Sequence, residues 1–120
     1  LDVLREELGA GLELVRCGGS DIVQQEREQW TDGANAVCVA PGKIILYSRN
    51  TYTIRALREH GFVERRISAE LAGAQRAELV RQGMEEPRTV FSFSGSELSR
   101  ARGGGRCLTM PLCRAPLAGA

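Results

Sequence analysis

Short β-rich apolar runs alternate along this chain with longer stretches whose apolar residues recur at helical spacing. The clearest stretch lies in the middle. Ala36–Ala40 (AVCVA) and Lys43–Tyr47 (KIILY) flank Pro41-Gly42, which predicts a hairpin. Pro then Gly at the turn centre favours type II. Tight two-residue hairpins prefer the primed turns, so the connection is expected to be slightly longer than it looks. Asn50 or Thr51 caps a helix through His60, with Ile54 and Leu57 on its buried face and Gly61 just past its end. Phe62–Ile67 follows as a strand, so residues 36–67 read strand, strand, helix, strand.

The flanks are less regular. Asp2 caps a short helix over Val3–Leu8, and Gly9 ends it. Leu12–Cys17 is predicted to be a strand, and Gly18–Asp21 a loop. Ile22–Trp30 is charged and polar, and its pattern does not choose a conformation. Ser68 is expected to cap a helix over Ala69–Gln82, whose face of Leu71, Leu79 and Val80 is weakly apolar. Thr89–Phe93 (TVFSF) reads as a strand, Ser94–Arg106 as a Gly, Ser and Arg-rich loop, and Cys107–Leu112 as a last strand. Pro116–Ala120 is expected to fray.

Composition narrows the function. The 120 residues suffice for one small domain, but only 5% are aromatic. The sequence opens on Leu1 and runs directly into a helical pattern, which reads as a piece of a longer protein. Sixteen basic and 15 acidic residues leave a net charge of +1, giving no electrostatic footprint for nucleic acid or an anionic membrane. No apolar run approaches membrane-spanning length, and the opening DVLREELGAG lacks a signal-peptide pattern. Cys17, Cys38, Cys107 and Cys113 show no CxxC spacing, and the single His is not placed to complete a zinc set. They read as reduced thiols of a cytoplasmic protein, with Cys17 and Cys38 in the core and Cys113 a bystander.

The chemistry lies in GSELSRARGGGRCLTMPLCR, Gly95 to Arg114. Three consecutive glycines let a backbone approach a ligand closely. Arg100, Arg102 and Arg106 offer forked donors suited to a carboxylate or phosphate. Cys107 sits where loop meets strand, and nearby arginines and amides would favour its thiolate form. By pattern alone, a free Cys is more often a small buried hydrophobe, and a glycine-rich basic loop is more often a solvated connection. The glycines do not fit a phosphate-binding P-loop.

GSELSRARGGGRCLTMP resembles the C-terminal signature of arginine deiminases: a Ser-Glu-Leu, an Arg-Gly-Arg-Gly-Gly run and a Cys-Met-Thr/Ser-x-Pro strand. EREQWTDGANAVCVAPGKIILYSRNTYT, Glu26 to Thr53, is similar to a second block of that family: E-Q-W-x-D-G-x-N, then A-P-G, then Y-x-R-N-x-x-T. Two blocks in order are far more specific than either alone. The resemblance implies an α/β fold that is part of a pentein propeller of ββαβ units, with 1–120 the C-terminal part of the catalytic domain. It implies hydrolysis of L-arginine to L-citrulline and ammonia, with no metal and no cofactor, and it is compatible with a homo-oligomer of the full-length enzyme. Cys107 matches the family nucleophile, and Arg102 and Gly103 match substrate contacts of a mobile loop. Other members of the group, an amidinotransferase or a dimethylarginine hydrolase, remain alternatives, as does a non-catalytic domain.

The chain departs from the pattern in three places. Ala101 stands where the first glycine of the Arg-Gly-Arg run belongs. Residues 69–88 read as an insertion, a surface helical excursion. The family's catalytic His lies in a His-x-Asp motif, which is absent here. His60, at a helix C-terminus, reads as a capping or surface residue. Asp32 and Glu97 read as turn and structural residues, and Trp30 as a packing residue.

Overall fold

A computed structural model describes residues 2–9, 11–100 and 103–113. Its elements in chain order are α1 (Asp2–Leu8), α2 (Ile22–Trp30), β1 (Val37–Ala40), β2 (Lys43–Tyr47), α3 (Thr51–Glu59), β3 (Val63–Ile67), α4 (Gly73–Glu85), β4 (Thr89–Phe93) and α5 (Ser96–Arg100). The strands form one open mixed sheet in the order β1-β2-β4-β3. β1 and β2 are antiparallel. Ala40 pairs with Lys43, so Pro41-Gly42 is a two-residue turn rather than the longer connection expected, and a register shift within β1, between Cys38 and Ala40, absorbs the mismatch. Gly42 takes φ +70°, the value a type II turn needs at its third position. β4 runs parallel to both β2 and β3. The strand, strand, helix, strand order is therefore present, but β3 does not pair with β2. The later strand β4 fills the space between them.

Register divides the sheet into two faces. Ile44, Leu46 and Val90 point toward α3, where Leu46, Val90, Ile54 and Leu57 form the buried core and Val15, Ala36 and Phe62 pack at its margin. Lys43, Ile45, Tyr47, Phe91 and Phe93 point the other way, toward α4 and the cysteine-bearing loop. Gly83 of α4 lies flat on the Phe91 ring, and Gly83 O accepts from Thr89 Oγ1 at 2.6 Å. Val37, Ile45, Phe91, Phe93, Val80 and Leu108 line an apolar cavity of about 520 Å³ on this face.

Several expectations need correction. Leu12–Cys17 joins no ladder; Val15 packs against the α3 core and Glu13 pairs with Arg88 at 2.8 Å, so side chains rather than sheet bonds hold the segment. Cys107–Leu112 is not a strand. Residues 105–108 form a turn, and Leu108, Met110 and Leu112 are 56%, 78% and 88% exposed, without a neighbouring strand among the described residues. The fourth helix starts at Gly73 rather than Ala69. Ser68 Oγ accepts from Glu70 N in a local turn, and the Gln75 side chain caps Ala72 N at 2.9 Å. The loop over Ser94–Arg106 contains the short helix α5.

α2 resolves the segment whose pattern was undecided. Asp21 caps it by accepting from Gln24 N at 3.0 Å. Its apolar residues Ile22, Val23 and Trp30 face outward, at 74%, 63% and 71% exposure, while Glu28 faces inward. Trp30, expected to pack, is thus largely exposed on α2. Cys38, expected in the core, is exposed as well, because the short β1 leaves it uncovered. Among the described residues, no helix is long and apolar enough to cross a membrane.

Candidate active site

Two layers build the site. The lower layer is a buried polar junction between α2 and α3. The Glu28 carboxylate, 1% exposed, accepts from Tyr52 N (2.8 Å), Thr53 N (2.7 Å) and Thr53 Oγ1 (2.7 Å). It thus satisfies orphan amides at the start of α3, where a negative charge is also favoured by the helix dipole. Asn50 is fully buried. It accepts from Thr31 Oγ1 at 2.5 Å and donates through Nδ2 to Thr31 O at 3.0 Å. Gly33 leaves no room for a Cβ, which would collide with Cys17 Sγ and Glu28 O. Burial pushes the Cys17 thiol up, the Thr53 hydrogen bond partly opposes this, and the Glu28 charge adds to it.

This junction fixes the loop from Thr31 to Asn35, which carries the upper layer. Asp32 adopts φ +61°, a left-handed conformation that Asp tolerates better than most residues, and Asp32 O accepts from Asn35 N at 3.0 Å. The Asn35 side chain then reaches the Cys107 thiol, donating from Nδ2 to Sγ at 3.0 Å. The same amide nitrogen lies 3.5 Å from Asp32 Oδ1. Among the described residues, Asp32 Oδ2 is buried without a hydrogen-bond partner.

The glycine run is held from the sheet. Tyr47 ends β2, is 2% exposed and packs edge-on against Phe93 with ring centroids 5.1 Å apart. Its hydroxyl donates to Gly103 O at 2.8 Å. Burial pushes this hydroxyl's pKa up, and the charges of Asp32 and Cys107 add to the effect. Gly95 lies against the Tyr47 ring and Gly104 against the Asn35 amide; a Cβ at either would overlap its neighbour. Leu108 N donates to Gly104 O and Thr109 N to Arg106 O, closing a turn that carries the exposed Cys107.

The structure thus brings Cys107 and Gly103 together with Asp32, Asn35 and Tyr47. Arg102 lies outside the described residues, as does Ala101. Glu97 is exposed and pairs with Arg100 at 3.3 Å. His60 caps the C-terminus of α3 and lies 3.8 Å from Glu13. It precedes β3, whose first residue Val63 is level with Thr89 of β4, while Cys107 stands near the far ends of β2 and β4. Five-residue strands separate those edges by about 13 Å. Sequence reasoning singles out neither Asn35 nor Tyr47, although both stand in the quoted motifs.

A family model for arginine deiminase matches residues 1–114. The chain belongs to the arginine deiminase family. It is 40% identical to an arginine deiminase of Mycoplasma capricolum over 98% of this chain and 23% of that protein. It is 37% identical to those of Borrelia duttonii (94% of this chain, 21% of that protein) and Bacillus cytotoxicus (95% and 22%). The chain therefore spans about a fifth of the length of the arginine deiminases it matches.

Proposed function

We propose that this chain supplies the nucleophile-bearing corner of an arginine deiminase, which hydrolyses L-arginine to L-citrulline and ammonia. The observation that carries the reading is the exposed Cys107 thiol. It is held at the end of a three-glycine run with an amide N–H aimed at its sulfur, in a chain of this family.

The chemistry follows from the substrate. A guanidinium is a planar, permanently charged cation that carboxylates hold by paired hydrogen bonds. The Cys107 thiolate attacks its central carbon and forms a C–S bond. A proton passes to a terminal nitrogen, the C–N bond breaks and ammonia leaves. Water then adds to the same carbon, the C–S bond breaks, and citrulline departs with the thiolate restored. A His moves the protons. Arg102 and Gly103 contact the substrate from the loop. No metal or cofactor enters these steps.

These 120 residues contain no His-x-Asp, and the guanidinium-binding carboxylates belong to other segments of the family's enzymes. The isolated chain is therefore inactive in this reading, and citrulline formation by purified residues 1–120 would contradict it. The sheet is one part of a pentein propeller, residues 69–88 are a surface excursion from it, and the enzyme is cytoplasmic. Support for the propeller comes from the ββαβ order of Val37–Ile67.

The decisive experiment replaces Cys107 in the full-length protein. Cys107→Ala should lower citrulline formation by about a thousandfold or more, and mass spectrometry of quenched wild-type reactions should find the amidino adduct on Cys107. Undiminished conversion by Cys107→Ala would overturn the proposal. Preference for a methylated arginine over arginine would move the chain to another activity of the same group.

A further inference from the structure

A thiol on a glycine-flanked turn has three staggered positions for its sulfur and little packing to choose among them. The loop from α2 supplies what the turn lacks. Asn35 Nδ2 stands 3.0 Å from Cys107 Sγ and 3.5 Å from Asp32 Oδ1, so one amide group faces two acceptors. Nitrogen at this end of the amide suits both neighbours, because an oxygen there would repel the Asp32 carboxylate and a Cys107 thiolate. The backbone reinforces it: Asn35 N donates to Asp32 O, and Asp32 accepts a left-handed φ to make this possible. Gly104 is matched to the same amide, since any side chain there would displace it.

We propose that Asn35 is a positioning residue for the nucleophile, its amide bridging the Asp32 carboxylate and the Cys107 sulfur, while the Tyr47 hydroxyl fixes the glycine run through Gly103 O. This deepens the deiminase reading and rests on it. Asn35 suits the task by size and charge. Ala has no donor, and Asp would set a second carboxylate against the sulfur. Tyr47 acts on the neighbouring link, holding Gly103 to the end of the sheet.

The two anchors predict different kinetic signatures. In the full-length enzyme, Asn35→Ala should lower kcat by about tenfold or more, with KM changed by less than about threefold. Asn35→Asp should slow iodoacetamide alkylation of Cys107 at neutral pH by about tenfold and recover it at alkaline pH. Among the described residues, the charged and titratable groups facing this site are Asp32 from the α2–β1 loop, Tyr47 from β2 and Arg106, next to Cys107 in the chain. Tyr47→Phe, which keeps the ring, should raise KM for arginine by about three- to tenfold. Alkylation of Cys107 should be nearly unchanged in that variant.

Cys107→Ala, run in parallel, separates the two readings. If Cys107→Ala is inactive but Asn35→Ala keeps kcat within about twofold and Asn35→Asp alkylates like wild type, the positioning role is overturned and the deiminase reading stands. If Cys107→Ala retains full activity, both fall. If Asn35→Ala unfolds, the nearly isosteric Asn35→Asp decides alone: slowed alkylation with an unchanged melting temperature supports the role, and unchanged alkylation overturns it.

Discussion

The eight residues from Glu28 to Asn35 hold two polar groups with opposite surroundings. Glu28 is sealed from water and accepts three hydrogen bonds from the start of α3. Asn35, at the other end, is only half-buried and points its amide at an exposed thiol. The first end builds a rigid platform, and the second uses that platform to place a side chain. One continuous motif therefore encodes a foundation and an attachment point, and its letters alone do not say which is which.

Breaking the foundation should cost stability, and the effect should be the largest. Glu28→Ala removes the acceptor of the Tyr52 and Thr53 amides and one of the Thr53 hydroxyl's partners, and should destabilise the full-length protein by about 3 kcal/mol in denaturant titrations. A smaller loss would mean that water replaces the carboxylate. Gly95→Ala tests the link between sheet and glycine run. Overpacking against the Tyr47 ring should cost about 2 kcal/mol and also reduce turnover, since the ring would carry its hydroxyl away from Gly103. Turnover that survives the stability loss would uncouple the two.

Thiol chemistry sharpens the contrast further. The Cys17 thiol is pushed up chiefly by burial, so at neutral pH it should alkylate much more slowly than Cys107, as followed by peptide mass spectrometry. The sign for stability follows from the same shift. With a folded value above the ordinary 9.0, the junction keeps its full stability below that pH and loses some as pH rises through the folded value. A melting temperature that declines in alkali for wild type but less for Cys17→Ala would confirm it. The smallest effect belongs to α4. Arg81 pairs with Glu78 and Glu85 at 2.6 and 2.5 Å, fully in solvent, and holds the Glu78 carboxyl down at about 2. Any contribution is present above the usual carboxylate range and fades only as pH falls toward that value. Arg81→Ala should shift the melting temperature by no more than about 1 °C.

Local signals made the central fold legible. Pro41-Gly42, the Ile54 and Leu57 spacing and Gly61 placed β1, β2, α3 and β3 within a residue or so, because each of those elements obeys its own period. α2 was illegible for the opposite reason: its outward side carries Ile22, Val23 and Trp30, and its inward side an acid. Cys107–Leu112 has the composition of a strand, but a strand exists only with a neighbour to bond. The position of β4 between β2 and β3 is likewise a property of the whole sheet, which no segment announces. At the site, Cys107 and Gly103 stood out through their motif. Asn35 did not, because its meaning depends on a contact across 72 positions of chain.

The placement of β4 also sets a timetable. Of the four described strands, β4 lies between β2 and β3 yet is the last one made, after the 21 residues that separate Ile67 from Thr89. At ribosomal speeds of roughly 5–20 residues per second, that gap lasts about one to four seconds. Throughout it, β2 and β3 have emerged but cannot join, and each presents unbonded amides along an edge meant for a strand not yet translated. Such edges are templates for pairing between molecules. Yield in a cell should therefore fall when expression crowds many nascent copies together, and slower synthesis or a waiting chaperone should recover it.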